Sequence, residues 1–179
     1  DKRWQDIEGI VFRKRARVLT SDDYWEISKD LDVEAMQADG YWKKTASFYN
    51  EPNYNEINTF RLFTANYCPM GCSFCTLTLW KKHSTGCTVP VVQLSPEQIL
   101  CLVKKVVNVY TDLKQIFFVT DDFFLMKGHG ESFCELVIEA KLDGSLPIDL
   151  AFIALTSIIR VNENNVKLMK LAGFRVLSI

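Results

Sequence analysis

Apolar residues recur along this chain with two different periods, and from Glu56 onward the two alternate. Ile57 to Thr64 is strand-like, with Phe60, Leu62 and Phe63. Ser95-Pro96-Glu97-Gln98 then predicts a helix start, with Ser95 as N-cap, Pro96 at the first helical position and Gln98 completing a capping box. Ile99, Val103, Val106, Val107 and Tyr110 follow at helical spacing, which turns one face inward. Lys114 to Thr120 is a short apolar run of the kind a buried strand shows. A second helix is expected over Glu131 to Lys141, with Phe133, Leu136, Val137 and Ala140 facing the core, and the next strand over Asp149 to Leu155. Asn162 caps a third helix carrying Val166, Met169 and Ala172, Gly173 stops it as its C′ residue, and a last strand opens at Phe174.

The expected order is β-α-β-α-β-α-β, an α/β pattern that implies a parallel sheet with right-handed crossovers. A partial barrel and a doubly wound sheet share this pattern, and periodicity leaves both open. Ligands of parallel α/β folds bind at the carboxyl ends of the strands. That places Thr120, Asp121 and Asp122 after the second strand, and Thr156, Ser157 and Arg160 after the third, among the candidates. An aspartate pair after a strand either serves a ligand or bonds to neighbouring backbone amides. Arg160 pairs with a ligand carboxylate or makes a surface salt bridge.

Residues 1–55 differ from the remainder, so the chain divides into an N-terminal hairpin and connector segment (1–55) and the β/α part (56–179). Gly9-Ile10-Val11-Phe12 and Arg17-Val18-Leu19-Thr20 flank the basic stretch Arg13-Lys14-Arg15-Ala16, which suggests a small hairpin with a solvated tip. Residues 21–55 are polar and aromatic without clear periodicity, a connector expected to pack on the main part. The chain lacks an initiator methionine and stops in the strand-like Phe174 to Ile179, so it is expected to be part of a longer protein.

Composition narrows the class. The 179 residues are 48% hydrophobic and 24% charged, ordinary for a soluble globular protein, and a net charge of -1 gives no electrostatic case for nucleic acid or an anionic membrane. No apolar run approaches a membrane span and the first residues are no signal peptide, so a reducing, cytoplasmic setting is expected for the six cysteines.

Three of those cysteines carry the chemistry. Cys68, Cys72 and Cys75 stand at C-x3-C-x2-C spacing where the first strand runs out. A cubane iron–sulfur cluster takes four cysteines, so three thiolates leave one iron open for a substrate or cofactor. Pro69 and Gly71 let the chain curl around such a centre. Phe74 sets an apolar ring beside it, to shield a cluster or to stack on an adenine.

The loop Asn66-Tyr67-Cys68-Pro69-Met70-Gly71-Cys72-Ser73-Phe74-Cys75, followed by β/α alternation, resembles the radical S-adenosylmethionine (radical SAM) superfamily. The resemblance implies a partial (β/α) barrel, about the first four strands of a six-unit core. It implies a [4Fe–4S] cluster with Cys68, Cys72 and Cys75 each on one iron and S-adenosylmethionine chelating the fourth. An electron donor protein would drive reductive cleavage to a 5′-deoxyadenosyl radical, which takes hydrogen from a substrate the sequence does not name. Residues near the cofactor would be Phe74, Thr120, Asp121, Asp122 and Arg160, with the Asp-Asp pair standing where the family commonly has a glycine-rich acidic motif. Asp6 to Arg13, Asp30-Leu31-Asp32, Asp121-Asp122 and Asn162-Glu163-Asn164 resemble the branch that carries an upstream cobalamin-binding domain, which implies cobalamin held outside this chain and methyl transfer among the outcomes.

Other readings stay open. Cys68, Cys72 and Cys75 with His83 would make a Cys3His zinc site, and a non-catalytic metal-binding or electron-transfer module would use the same loop. Cys87 is expected as an incidental loop cysteine, Lys81-Lys82 as solvated, and Cys101 and Cys134 as small buried hydrophobes within helices.

Overall fold

A computed structural model describes residues 21–30, 33, 59–66, 68–75, 91–111 and 113–179. The hairpin at Gly9 to Thr20, most of the connector, the boundary at residue 55, and Lys81, Lys82, His83 and Cys87 lie outside the described residues. The elements are α1 (Ser21–Lys29), β1 (Thr59–Leu62), α2 (Pro96–Val109), β2 (Gln115–Phe118), α3 (His129–Leu142), β3 (Ala151–Leu155), a 3-10 turn (Ile158–Arg160), α4 (Glu163–Ala172) and β4 (Phe174–Ser178). The four strands form one parallel sheet in the order β1-β2-β3-β4. That order never reverses, whereas a doubly wound sheet switches direction partway across. Right-handed crossovers therefore set α2, α3 and α4 side by side on one face.

Local chemistry explains the helix ends. Ser95 accepts from the Gln98 backbone N–H at 3.2 Å while the Gln98 side chain accepts from Ser95 N–H at 2.8 Å, the expected capping box. Asn162 and Asn165 do the same for α4. Gly173 ends α4 at φ 103, and its N–H bonds to the carbonyls of Met169 and Lys170. The connector is not wholly irregular: Ser21–Lys29 is helical, with Asp22 and Asp23 in its first turn and Lys29 in its last, as the helix dipole favours. Its apolar positions are too few to show a period, and Trp25 supplies its packing against the core.

The core lies between the sheet and the helices. Phe60, Ile116, Phe152 and Phe174 stand in register across the four strands, with Leu62, Phe118 and Ala154 in the next row. Phe118 is its centre, with ring centroids 4.9 Å from Phe123, 5.3 Å from Phe133 and 5.8 Å from Phe152. Each ring buries a large apolar area, and the edge-to-face pairs add about 0.5–1.5 kcal/mol apiece. Ile99, Leu102, Val103 and Val106 of α2 and Phe133, Cys134, Val137 and Ala140 of α3 close the layer. Leu136 is only half-buried, whereas Cys134 is fully buried, as expected. Val166 is 43% exposed rather than inward, because α4 lies at the end of the helix row. Cys101 is exposed, not buried, since it sits on the solvent side of α2.

One charged group is buried under this layer. Lys141, in the last turn of α3, donates from Nζ to the Leu150 carbonyl at 2.6 Å and lies 5.6 Å from the Phe152 ring centroid. Burial lowers its pKa. Room for the ammonium comes from Gly173, where a Cβ would collide with Nζ and stand 2.9 Å from the Leu150 carbonyl oxygen. Gly173→Ala therefore combines a strained positive φ with a backbone clash, and is expected to cost at least about 2 kcal/mol. Urea unfolding followed by tryptophan fluorescence measures it, and an unchanged midpoint would contradict the account.

Candidate metal and cofactor site

The carboxyl ends of the strands finish in hydroxyls. Thr64, Thr120 and Thr156, each two residues beyond a core-facing strand residue, are all buried. Thr120 Oγ1 accepts from the Thr64 N–H at 2.9 Å, and the two hydroxyls lie 2.7 Å apart. Thr156 donates to Asp122 Oδ1 at 2.7 Å. This polar layer covers the aromatic core and forms the floor of the site.

Asp122 is the charge within it. The carboxylate is 2% exposed and accepts from the Thr156 hydroxyl, the Ser157 hydroxyl at 3.1 Å and the Phe124 N–H at 3.2 Å. Arg160, from the 3-10 turn after β3, sets Nε 3.8 Å from Oδ2, an ion pair too long for a hydrogen bond. Arg160 Nε–H is buried without a hydrogen-bond partner among the described residues. The other end of the guanidinium reaches the cysteine loop, 4.0 Å from Met70 Sδ. Asp121, by contrast, is exposed on the same turn. The two aspartates so divide: Asp122 joins strand ends, and Asp121 faces outward.

Cys68, Cys72 and Cys75 are half-buried on the loop that follows β1. Gly71 takes φ 68 between the first two, and Cys75 N–H bonds to the Cys72 carbonyl at 3.0 Å, so the loop turns tightly where Pro69 and Gly71 predict. Burial raises the Cys68 thiol pKa, opposed by a hydrogen bond from the Met70 backbone N–H, and Asp121, Asp122 and Cys72 raise it further. Cys68 thus lies within electrostatic reach of the aspartate pair. Among the described residues, no three Cys, His, Asp or Glu side chains come together closely enough to hold a metal ion. The donor chemistry nevertheless fits an iron–sulfur cluster, whose several irons each take one thiolate and so spread their ligands apart. Phe74 holds its ring 87% exposed beside Cys75.

The loop is closed at its neck by contacts that composition and spacing did not reveal. Ala65 pairs antiparallel with Gln93. Asn66 N–H donates to the Val92 carbonyl at 3.0 Å, Val92 N–H to Asn66 Oδ1 at 2.9 Å, and Leu94 N–H to the Thr64 carbonyl at 2.9 Å. His129, the first residue of α3, reaches over the returning arm. Its Nε2 lies 2.6 Å from the Leu94 carbonyl and its Nδ1 3.3 Å from Gln93 Nε2. A carbonyl only accepts, so Nε2 carries a proton, while Nδ1 faces the Gln93 amide, whose Oε1 is buried without a hydrogen-bond partner among the described residues. Beside it, between the first turns of α2 and α3, opens a cavity of about 630 Å³ bordered by Gln93, Ser95, Glu97, Met126 and Ser132. It does not include the cysteines.

Two outcomes follow from these contacts. Asp122→Ala strands the Thr156 hydroxyl and the Phe124 amide, a loss of about 2–3 kcal/mol, whereas Asp121→Ala stays within about 0.5 kcal/mol; paired urea titrations distinguish them. Burial lowers the His129 pKa, against the opposing pull of the Leu94 carbonyl, Glu97 and Glu131. The unfolded chain then binds the proton more readily than the fold does. The contribution of His129 is complete above its ordinary value near 6.5 and is lost as pH falls through the lowered folded value. Urea midpoints between pH 7.5 and 5.5 are expected to fall more steeply for the wild type than for His129→Gln, which does not titrate there.

No family model matches the chain. No curated protein matches it either. Among solved structures it is similar to a radical S-adenosylmethionine methyltransferase, TsrM from Kitasatospora setae, determined with cobalamin and a [4Fe–4S] cluster bound. The TM-score is 0.54 at 15% sequence identity, over 65% of this chain and 21% of that one. This chain therefore matches about a fifth of that protein's length. The likeness supports a radical SAM-like α/β fold for the four-stranded sheet and its three helices.

Proposed function

We propose that this chain carries the cluster-binding part of a radical SAM enzyme. The observation that carries the proposal is the C-x3-C-x2-C loop at the carboxyl end of β1, in a singly wound parallel sheet whose fold resembles that of a radical SAM methyltransferase. Cys68, Cys72 and Cys75 would hold a [4Fe–4S] cluster and leave it one ligand short, open to S-adenosylmethionine. Bound together, the two supply reductive cleavage of the sulfonium carbon–sulfur bond and a 5′-deoxyadenosyl radical for hydrogen abstraction.

The protein's part is to hold and orient. Asp121, exposed on the turn after β2, is the carboxylate offered to the cofactor's ammonium, because Asp122 is already committed to Thr156, Ser157 and the Phe124 amide. Thr120 fixes the start of that turn through Thr64. The unmet Arg160 Nε–H favours an arriving carboxylate, and the Phe74 ring offers a stacking face for adenine. Reduction of the cluster would call for an electron donor protein. Cobalamin-dependent methyl transfer, with cobalamin on a domain outside residues 1–179, is the outcome that the structural likeness favours. Among the described residues no helix is long and apolar enough to cross a membrane.

Anaerobic reconstitution with iron and sulfide, then electron paramagnetic resonance of the reduced protein with and without S-adenosylmethionine, tests this. A [4Fe–4S] signal that shifts with the cofactor is expected. Each of Cys68→Ala, Cys72→Ala and Cys75→Ala should abolish it, and Asp121→Asn should weaken the shift while keeping the cluster. Bound zinc with no iron–sulfur signal would overturn the proposal.

A further inference from the structure

The described cysteine loop, Cys68 to Cys75, lies next in the chain to one arm of a narrow neck whose other arm is Val92 to Leu94. The outgoing arm is Thr64 to Asn66 and the returning arm is Val92 to Leu94, joined by three hydrogen bonds, two of which make the antiparallel Ala65–Gln93 bridge. The outgoing arm is fixed from the sheet side, since Thr64 is hydrogen-bonded through both its N–H and its hydroxyl to Thr120. Among the described residues the returning arm has no strand neighbour beyond that bridge; the side chains of Val92 and Leu94 are buried, and Ser95 leads directly into α2. The hydrogen bonds it receives from the other side come from His129, which engages Leu94 through its carbonyl and Gln93 through its carboxamide, two successive residues of the arm. His129 can do this because it is the first residue of α3, preceded by Gly128 at φ 77, so its ring projects from the helix end towards the neck.

We infer that His129 is a positioning residue for the cysteine loop: wedged between α3 and the returning arm, its imidazole keeps the neck closed and thereby sets where Cys68, Cys72 and Cys75 stand. Its significance for a cluster rests on the function proposed above; its hold on the neck does not. The charged groups facing the ring among the described residues are Glu97 of α2 and Glu131 of α3. Neither replaces the two bonds. A glutamine can, because its amide presents one donor and one acceptor, as the neutral imidazole does.

Three proteins decide it: wild type, His129→Ala and His129→Gln, each spanning residues 1–179 and metal-free. Hydrogen exchange at the Asn66, Val92 and Leu94 amides reports the neck, with Ile116 and Phe118 in β2 as the reference. Capture of neighbouring thiols by phenylarsine oxide reports the mutual placement of the cysteines. Cys134 monitors the fold, as a buried thiol whose pKa is pushed up to about 12. His129→Ala should speed exchange at the three neck amides about three- to tenfold, the effect of one or two lost hydrogen bonds on a local opening. It should weaken arsenical capture to a similar degree, with β2 and Cys134 unmoved, and His129→Gln should restore both. Unchanged neck exchange overturns the inference. So does faster exchange with unaltered capture, or a loss of protection that spreads to β2 and Cys134. Iron–sulfide reconstitution of the same proteins separates the two claims: if the wild type shows the expected exchange and capture but takes up no [4Fe–4S] cluster, the proposed function fails and the neck assignment stands.

Discussion

A carboxylate taken out of water at the end of a β-sheet must be given partners or it will unfold the sheet end, and Asp122 is that carboxylate. Burying an ion costs several kcal/mol, offset only by good hydrogen bonds and an opposite charge. Asp122 obtains them from three different stretches of chain: its own turn through Phe124, the end of β3 through Thr156 and Ser157, and the 3-10 turn through Arg160. Beside it the Thr64–Thr120 hydroxyl pair joins β1 to β2. The polar layer so formed fixes three strand ends relative to one another, and the cysteine loop stands on it.

The sequence marked Thr120, Thr156 and Ser157 as strand-end candidates for a ligand, but not the layer that they form with Thr64. Each strand ends with two apolar residues and a hydroxyl: Leu62-Phe63-Thr64, Phe118-Val119-Thr120, Ala154-Leu155-Thr156 and Val176-Leu177-Ser178. The pattern spans only three residues and hides inside runs already recognisable as strands. The strongly local signals served best. Ser95 with Gln98, Asn162 with its asparagine partner, and Gly173 mark helix ends because their bonds join residues a few positions apart, which spacing alone can express. The three cysteines were legible for the same reason.

Signals that depend on the far side of the fold were not. Val166 keeps helical spacing with Met169 and Ala172, yet α4 closes the row and leaves that position in solvent. Cys101 was expected inside because cysteines usually are, but its direction on α2 is set by Ile99, Leu102 and Val106, which face the sheet. Asp121 and Asp122 are adjacent and chemically alike, so only burial assigns one to the scaffold and the other to the surface. His129 belongs to the same class: its partners, Leu94 and Gln93, are some 35 positions earlier in the chain, and nothing near it suggests a neck.

Lys141 lies at the opposite end of the sheet from all of this, against Leu150 and Gly173 where β3 and β4 begin. In β/α architectures the carboxyl end of the strands carries chemistry and the amino end carries stability. A buried ammonium held by a single carbonyl is an imperfect packing solution, and natural folds commonly leave such solutions unoptimised. A change at the Lys141 end therefore bears on stability without touching any residue of the cysteine loop. The fold separates durability from innovation along the length of its strands.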